Sequence, residues 1–248
     1  ESFLKGSIFD QLKLRLGYGV SGNALGFGAY SAYTLFGLDS ASSFTYNGIT
    51  YSKINATQNG NPDLKWETTK MFNVGVDFAF LNSRLSGSIE FYSKKTSDLI
   101  WGYDVSTNIY PVGTMQANVG DITNTGIEVT INAVPVKTKD FTWQTTLNLA
   151  HNKNKVNKLS NTKYSVEYKD WGDPNIAGIS SNGEVQRIME GESLGTFWTY
   201  EWAGYNEQGQ STFWVHDPET GERTGEKTTE PTKSDKTKVG CALPKLTY

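Results

Sequence analysis

Apolar and polar residues alternate along several stretches of the chain, and the longest such stretch lies within Asn61–Tyr92. Between Trp66 and Phe80, the even-numbered residues are mainly apolar and the odd-numbered residues mainly polar; after a turn at Asn82–Ser83, the alternation resumes from Leu85. Because successive side chains of a strand point to opposite faces, this pattern predicts two strands joined by a tight turn, each with one apolar and one polar wall. The first strand is about three times as long as the ~5–6 residues of an ordinary globular strand. Strands of ~10 or more residues with this alternation are typical of membrane-spanning β-barrels.

The same alternation predicts strands on both sides of this hairpin. Leu12–Val20 comes before it, Thr125–Val134 and Phe141–His151 come after it, and a last strand pattern covers Gly240–Tyr248. The predicted fold class is therefore all-β, with about six long antiparallel strands.

The connections between the predicted strands are alternately long and short. They comprise long loops at 23–63, 96–121 and 157–239 and short turns at 81–84 and 135–140. This alternation is typical of an outer-membrane barrel, in which periplasmic turns are short and extracellular loops are long. Inside the last loop, Thr196–Tyr205 and Ser211–Val215 predict a local hairpin around Asn206–Gly209. The alternative fold is a soluble β-sandwich, in which the same apolar walls form the core.

Six segments, in this order along the chain, resemble the SusC/RagA class of TonB-dependent outer-membrane transporters. They are Lys13–Asn23 (KLRLGYGVSGN), Asn61–Glu67 (NPDLKWE), Phe91–Ile100 (FYSKKTSDLI), Asn118–Glu128 (NVGDITNTGIE), Phe141–Val156 (FTWQTTLNLAHNKNKV) and Val239–Pro244 (VGCALP). The resemblance implies a transmembrane β-barrel segment that supplies about six strands of a 22-stranded barrel with a plug domain inside it. Residues 1–248 would then be part of one barrel domain, and 157–239 would form a long extracellular loop region. The plug domain and the carboxyl-terminal strands are expected to be absent from this chain.

The resemblance also implies a function. The full protein would import oligosaccharides or peptides across the outer membrane of a Gram-negative, Bacteroidetes-like bacterium. It would work with a SusD-like surface lipoprotein and take energy from the TonB complex, which it would engage through parts outside this chain. The alternative function is a secreted or surface β-sandwich module that binds carbohydrate.

In such a barrel the apolar walls face the lipid bilayer. The residues assigned to lipid are Leu12, Leu14, Leu16, Phe72, Val74, Val76, Phe78, Ile89, Phe91, Ile127, Val129, Ile131, Leu147 and Leu149. Aromatic residues near strand ends are expected to join the interfacial girdles, and these are Trp66, Phe80, Phe141 and Trp143.

Charge and composition narrow the range of functions. The net charge of −3 gives no indication of a nucleic-acid partner. The single cysteine, Cys241, excludes an intrachain disulfide. The two histidines, His151 and His216, lack the spacing of a metal site. The chain is therefore expected to bind no metal and no cofactor.

The polar walls carry several charged residues, which are Arg15, Glu67, Asp77, Glu90 and Glu128. Paired carboxylates are the catalytic groups of glycosidases, so hydrolysis of a sugar is one alternative. These carboxylates are scattered over different long strands, and a solvated inner wall of a large barrel explains them better. The sequence therefore predicts no catalytic residue and no enzyme.

Aromatic residues in the long loops are the candidates for recognition. The candidate contacts with substrate or partner are Trp101, Tyr103, Trp171, Trp198, Tyr200, Trp202 and Trp214, with Tyr205 nearby. Flat aromatic rings stack on sugars and on peptide side chains, and Trp and Tyr are frequent interface anchors. The alternative is that these rings pack the long loop against itself, because an ordered loop of this length must bury apolar surface.

Overall fold

The computed structural model describes residues 8–26, 28–171, 184–218, 220–230 and 237–241. The strands in this part of the chain are β1 (Phe9–Asn23), β2 (Leu35–Tyr46), β3 (Ile49–Gln58), β4 (Glu67–Phe80), β5 (Leu85–Asp104), β6 (Thr114–Lys137), β7 (Thr142–Lys158), β8 (Tyr168–Trp171), β9 (Gln186–Met189), β10 (Thr196–Thr199), β11 (Trp202–Tyr205), β12 (Ser211–His216), β13 (Arg223–Thr228) and β14 (Thr237–Cys241). Two compact units, residues 1–165 and 166–248, divide the chain. Among the described residues, no helix is long and apolar enough to cross a membrane.

The first unit is built on one antiparallel sheet of long strands, in the order β1-β4-β5-β6-β7. Its strands run from 14 residues in β4 to 24 residues in β6. Each strand pairs with its neighbour over nearly its whole length, and the short hairpin β2–β3 forms a separate sheet. The five long strands confirm the strands predicted from alternation between Leu12 and His151.

The pairing register aligns the apolar positions of all five strands into rows. One row across the sheet is made of Leu14, Val76, Ile89, Val129 and Leu149. With the rows above and below, it forms the apolar wall, whose members are the fourteen residues assigned to lipid from the sequence. The apolar wall is open to its surroundings: Leu14 is 63% exposed and Leu149 is 56% exposed. An exposed apolar surface of this extent is typical of a membrane or partner contact, and it is unlike the core of a soluble sandwich.

The opposite face of the same sheet is polar. Neighbouring positions in the register place Arg15, Gly75, Glu90, Glu128 and Ala150 in one row. We call this face the polar wall; it also carries the amides, hydroxyls and charges that alternate with the apolar wall.

The short turns fix one end of the sheet. The β4–β5 turn lies where the sequence predicted it, and Leu81, Asn82 and Ser83 adopt φ angles of 56°, 56° and 59°. The backbone N–H of Ser83 donates to the Asp10 carboxylate at 2.8 Å, and Val134 N–H donates to the Arg84 carbonyl at 2.7 Å. These bonds tie the turn to both neighbouring strands.

Two of the predicted long loops contain more strand than the sequence suggested. Residues 23–63 include the hairpin β2–β3, and β5 and β6 extend to Asp104 and from Thr114, which leaves only 105–113 between them. Both loop predictions were wrong in extent because they relied on apolar alternation. Strand pairing is made by backbone groups, so it continues beyond the end of the apolar wall.

The second unit contains two small sheets, ordered β14-β10-β9-β8 and β11-β12-β13. The predicted local hairpin is confirmed for Trp202–Tyr205 and Ser211–His216, which pair as β11 and β12. Its first predicted strand was too long, because Thr196–Thr199 forms β10 and pairs with β9 and β14 instead. Of the strand predicted at the carboxyl end, the first two residues lie in β14, and residues 242–248 lie outside the described residues.

Candidate functional site

The polar wall is organised around one arginine. Arg15 donates from Nε and Nη2 to the two carboxylate oxygens of Asp77, at 3.0 and 2.9 Å, and from Nη1 to Glu90 at 3.3 Å. The guanidinium crosses directly over Gly75, where a Cβ atom would come within 2.9 Å of Nη2. Asn73 donates its amide to the other oxygen of Glu90 at 3.4 Å. A forked ion pair with Asp77 and a single charged hydrogen bond to Glu90 thus link β1, β4 and β5 on the face opposite the apolar wall.

This cluster fits a wall better than a catalytic centre. Asp77 and Glu90 both bind the same arginine, and Glu90 lies directly opposite Glu128 in the β5–β6 register. A glycosidase needs its two carboxyl groups on either side of a sugar, at a set separation. Here the carboxylates lie side by side on one sheet face, where they bind an arginine and line a polar surface.

Asparagine side chains attach the NPDLKWE segment to the outer half of the β5–β6 pair, by which we mean the half remote from the short turn at 81–84. Asn118 donates to the carbonyls of Lys65 and Asp98, both at 2.7 Å, and accepts from Lys65 N–H at 2.8 Å. Asn61 donates to the Gln116 carbonyl at 2.8 Å and is buried. We call these contacts the asparagine clamp. They explain why two of the six resembling segments, far apart in sequence, lie together in the fold.

The clamp extends to Asn59 and to Glu67, the first residue of β4. Asn59 is buried, donates to the Thr114 carbonyl at 2.8 Å and accepts from Val112 N–H at 3.1 Å. Glu67 accepts from Ile100 N–H at 3.1 Å, next to a break in the β5–β6 register at Asp98, whose φ is 60°. The connection before β4 is therefore held in place by backbone-directed hydrogen bonds.

A small cavity lies beside the clamp. Its polar lining consists of Asn61, Asp63, Lys65, Asn118, Asn161 and Lys163, and its volume is about 190 Å³. Pockets for small molecules usually measure ~300–1,000 Å³. This cavity is too small for an oligosaccharide or peptide, so it is not the recognition site.

In the first unit, Tyr103 is 1% exposed, and its hydroxyl donates to the Leu159 carbonyl at 2.9 Å. Its ring lies 5.5 Å from that of Tyr164, whose hydroxyl is 3.2 Å from the Met115 sulfur. Trp101, two residues earlier on β5, is half-buried. Tyr103 thus packs the outer half of the sheet and offers almost no surface to a ligand.

Trp198 is engaged by a charged side chain of its own unit. The Arg187 guanidinium lies 3.5 Å from the ring centroid of Tyr168 and 4.5 Å from that of Trp198, so both rings contact the cation. Asp170 holds Arg187 through two hydrogen bonds, at 2.7 and 3.0 Å. Cation–π contacts of this kind stabilise the β8–β9–β10 sheet.

Trp214 has the same kind of environment. Its ring centroid lies 5.1 Å from the Arg223 guanidinium and 4.5 Å from the Lys227 ammonium. Arg223 donates two hydrogen bonds to Glu201, and His216 Nε2 lies 3.1 Å from the same carboxylate. The hydrogen bond from Arg223, with a second from His216, holds the pKa of Glu201 below its ordinary value, and Glu201 in turn raises the pKa of Arg223.

The most accessible aromatic pair lies on the edge strand β11. Trp202 is 56% exposed and Tyr205 is 69% exposed, and their ring centroids are 5.4 Å apart in an edge-to-face arrangement. In a regular strand, residues three apart point to opposite faces, but a bulge between Trp202 and Gly204 interrupts this strand, and Gly204 has a φ of 101°. The bulge brings both rings to one side, where their remaining faces are open.

The other predicted contacts differ in their exposure. Trp171 ends β8 and is 60% exposed. Tyr200 is half-buried, and its ring meets that of Phe213 edge-on at 6.3 Å. The structure therefore brings Trp202 and Tyr205 together as an open pair, whereas Trp198 and Trp214 each contact a cation of their own sheet.

Known proteins share this pattern of sequence and fold. The sequence model of the family described as TonB dependent receptor-like, beta-barrel, matches residues 6–223. TonB-dependent receptor SusC of Bacteroides thetaiotaomicron is 35% identical over 216 residues, which are 85% of this chain and 21% of that protein. TonB-dependent receptor P3 of Formosa agariphila is 32% identical and covers 84% of this chain and 20% of its own length. The chain thus spans about a fifth of the length of the curated relatives it matches.

Solved structures agree with this fold. The RagAB peptide importer in its 'open-open' state superposes with a TM-score of 0.72 at 22% identity, over 96% of this chain and 23% of the importer chain. The RagAB peptide transporter gives a TM-score of 0.68 at 23% identity, over 93% of this chain and 23% of that chain. At this identity the match establishes the fold alone, and it confirms the predicted barrel segment in place of the sandwich alternative. The chain therefore belongs to the β-barrel family of TonB-dependent receptors, and within it resembles the SusC/RagA type.

Proposed function

We propose that the protein containing this chain is an outer-membrane transporter that imports oligosaccharides or peptides with energy from the TonB complex. The observation that carries the proposal is the sheet itself. Five strands place an exposed apolar wall on one face and an arginine–carboxylate wall on the other, and the rows that carry the two walls are in register across all five strands. Lipid on one side and a water-filled or plugged lumen on the other is the environment that such a sheet requires.

The orientation follows from the connections. The turns at 81–84 and 138–141 are short, whereas the connections at the opposite end carry the β2–β3 hairpin and the second unit. In outer-membrane barrels the short turns are periplasmic. We assign residues 1–248 to one barrel domain and 157–239 to an extracellular loop region within it. The bacterium would be Gram-negative and similar to the Bacteroidetes relatives.

Partners and substrates follow from the relatives. RagAB is described as a peptide importer, and SusC is a TonB-dependent receptor. A SusD-like surface lipoprotein is the expected extracellular partner, and the exposed pair Trp202 and Tyr205 is the strongest candidate for contact with the substrate or this lipoprotein. Trp171, which is 60% exposed, is a further candidate. The function assigned is transport and not catalysis.

Membrane fractionation and uptake test the proposal together. The full-length protein is expected in the outer-membrane fraction, with faster migration on a detergent gel before heating than after it. Deletion of its gene should abolish growth or uptake on one class of labelled oligosaccharide or peptide, and the intact gene should restore it. Recovery of the full-length protein in a soluble fraction, or uptake unchanged for both classes of cargo, would refute the assignment.

A further inference from the structure

Lysines mark one end of the apolar wall. On β7, the apolar wall continues through Leu147 and Leu149, and the next positions on the same face are His151, Lys153 and Lys155. On β4 the same face changes from Phe72 to Lys70, and on β5 it changes from Phe91, through Ser93, to Lys95. Three strands thus change from apolar residues to lysine at about the same level of the sheet.

The pairing register aligns these lysines across the sheet. Lys70 is directly opposite Lys95, Lys95 is opposite Thr123, and Thr123 is opposite Lys155. Lys153 lies one position lower on the same face of β7. All four lysine side chains are exposed, and we call Lys70, Lys95, Lys153 and Lys155 the lysine row.

The lysine row has too few counter-charges of its own. Lys95 Nζ lies 3.5 Å from the Asp121 carboxylate. The described part of the chain gives Lys70, Lys153 and Lys155 no ion-pair partner. Like charges directly opposite each other on neighbouring strands destabilise a sheet. A bound anion would remove this repulsion between Lys70 and Lys95.

The position of the lysine row matches a membrane boundary. From Leu85 at the short-turn end, β5 rises ten residues to Lys95, which is about 33 Å along a strand. With the usual barrel tilt of ~35–45°, this length spans about 25 Å of bilayer, the height of the apolar band of such barrels. Aromatic side chains of Tyr18 and Phe72 lie just below, at the level where interfacial aromatics are expected.

We propose that the lysine row binds the phosphate groups of an anionic lipid in the outer leaflet, with the acyl chains of that lipid against the adjacent apolar wall. This inference rests on the proposed outer-membrane location and on the assignment of the long connections to the outside. Lysine ammonium groups bind phosphate as compact point charges, and four of them on one exposed face complement a headgroup with several negative oxygens. The apolar rows directly below supply the contact for the acyl chains, which a free phosphate ion would not use.

Lipid binding to the purified full-length protein tests the proposal. The protein in nonionic detergent is titrated with phosphatidylglycerol and with zwitterionic phosphatidylcholine, and native mass spectrometry counts the bound lipids. A lysine near an anionic lipid surface contributes roughly fivefold in affinity. Replacing the row with Lys70→Gln, Lys95→Gln, Lys153→Gln and Lys155→Gln removes four such contributions and should therefore weaken phosphatidylglycerol binding by about 600-fold. Phosphatidylcholine binding should stay the same.

A matched control removes the same number of charges elsewhere. Lys13→Gln and Lys94→Gln lie on the polar wall, and Lys137→Gln and Lys139→Gln lie at the short-turn end. This control variant should keep the phosphatidylglycerol affinity of the parent. Equal loss in both variants, no loss in either, or displacement of the lipid by an equal concentration of inorganic phosphate would overturn the proposal.

Two further measurements separate this result from folding and from transport. Heat-modifiable migration shows whether each variant is folded. We expect both to fold, because the substitutions lie at exposed positions. Uptake by the lysine-row variant should equal that of the parent. If neither the parent nor the lysine-row variant supports uptake but the variant still loses phosphatidylglycerol binding, the transport proposal is refuted and the lipid site stands. If both proteins support normal uptake and bind phosphatidylglycerol equally, only the lipid site is refuted.

Discussion

At the scale of single residues, the fold depends on a few polar side chains that bind backbone groups. Asn118 makes three such bonds and joins the segment before β4 to the β5–β6 pair. Hydrophobic periodicity does not indicate which polar side chains bind backbone groups. Strand propensity does not indicate it either, because asparagine is unfavourable in strands. The only sign in the sequence was that Asn61 and Asn118 both fall in segments that resemble the family.

Asn118→Ala should loosen the connection before β4 and leave the barrel strands paired. The substitution leaves two carbonyls and one N–H without their partner, and we expect a loss of about 2 kcal/mol of local stability. Limited proteolysis of the full-length protein measures this as faster cleavage within residues 59–66. Asn148→Ala, at an exposed position on the polar wall of β7, is the matched control and should be cleaved at the parent rate. Equal cleavage of all three proteins would contradict the role of the clamp.

Glu201 should make the β11–β13 sheet sensitive to acid. Arg223 holds the pKa of Glu201 below its ordinary value of 4.5, so the stability that this ion pair contributes is fully present above that pH. It is lost as the pH falls through the lower pKa of the folded state, when the carboxylate is protonated. Hydrogen–deuterium exchange, corrected for intrinsic rates, should show β11–β13 losing protection below about pH 4.5.

The isosteric variant isolates this effect. Glu201→Gln should show weakened protection of the β11–β13 sheet at neutral pH and no further loss as the pH falls to 3. An unchanged acid response in this variant would assign the pH dependence to another group.

At the scale of secondary-structure elements, the sequence predicted the strands in which apolar and polar residues alternate and missed the strands that lack this alternation. Inside the apolar band, β1, β4, β5, β6 and β7 must alternate, so they were visible as strands. Above the band, the outer halves of β5 and β6 stay paired through backbone hydrogen bonds without alternation. The division of 196–205 between β10 and β11 was likewise invisible, because both parts are short and rich in aromatic residues.

Adjacent positions on β6 give a direct test of the two walls. Val129 lies in the middle row of the apolar wall, and Thr130 points to the polar wall. Val129→Lys should destabilise the barrel by ~2–4 kcal/mol, because it places a charge near the bilayer midplane. Thr130→Lys should cost far less, since the lumen tolerates polar side chains. Denaturant unfolding followed by heat-modifiable migration measures both; equal destabilisation by the two lysines would reject the assignment of the faces.

At the scale of the whole molecule, the proposed function assigns the apolar wall to contact with lipid and the exposed aromatic residues of the second unit to recognition. The sequence identified the aromatic residues of that unit but could not rank them, because exposure depends on which neighbours the fold supplies. Arg187 lies against Trp198, and Arg223 and Lys227 lie near Trp214, through contacts between consecutive strands whose pairing the sequence pattern did not reveal. Trp202 and Tyr205 are left open by a bulge that no sequence pattern announced.

This ranking predicts different effects for substitutions of different aromatic residues. The double substitution Trp202→Ala with Tyr205→Ala removes two exposed rings and little packing, so it should weaken substrate or lipoprotein binding by about tenfold with the fold intact. Trp198→Ala removes a ring that stacks on Arg187, so it should raise protease sensitivity around β8–β10 as well. Titrating the full-length protein separately with the imported cargo and with the purified surface lipoprotein shows which of the two the pair contacts. If the double variant binds both at parent affinity, these rings serve neither partner, and Trp171 becomes the next aromatic contact to test.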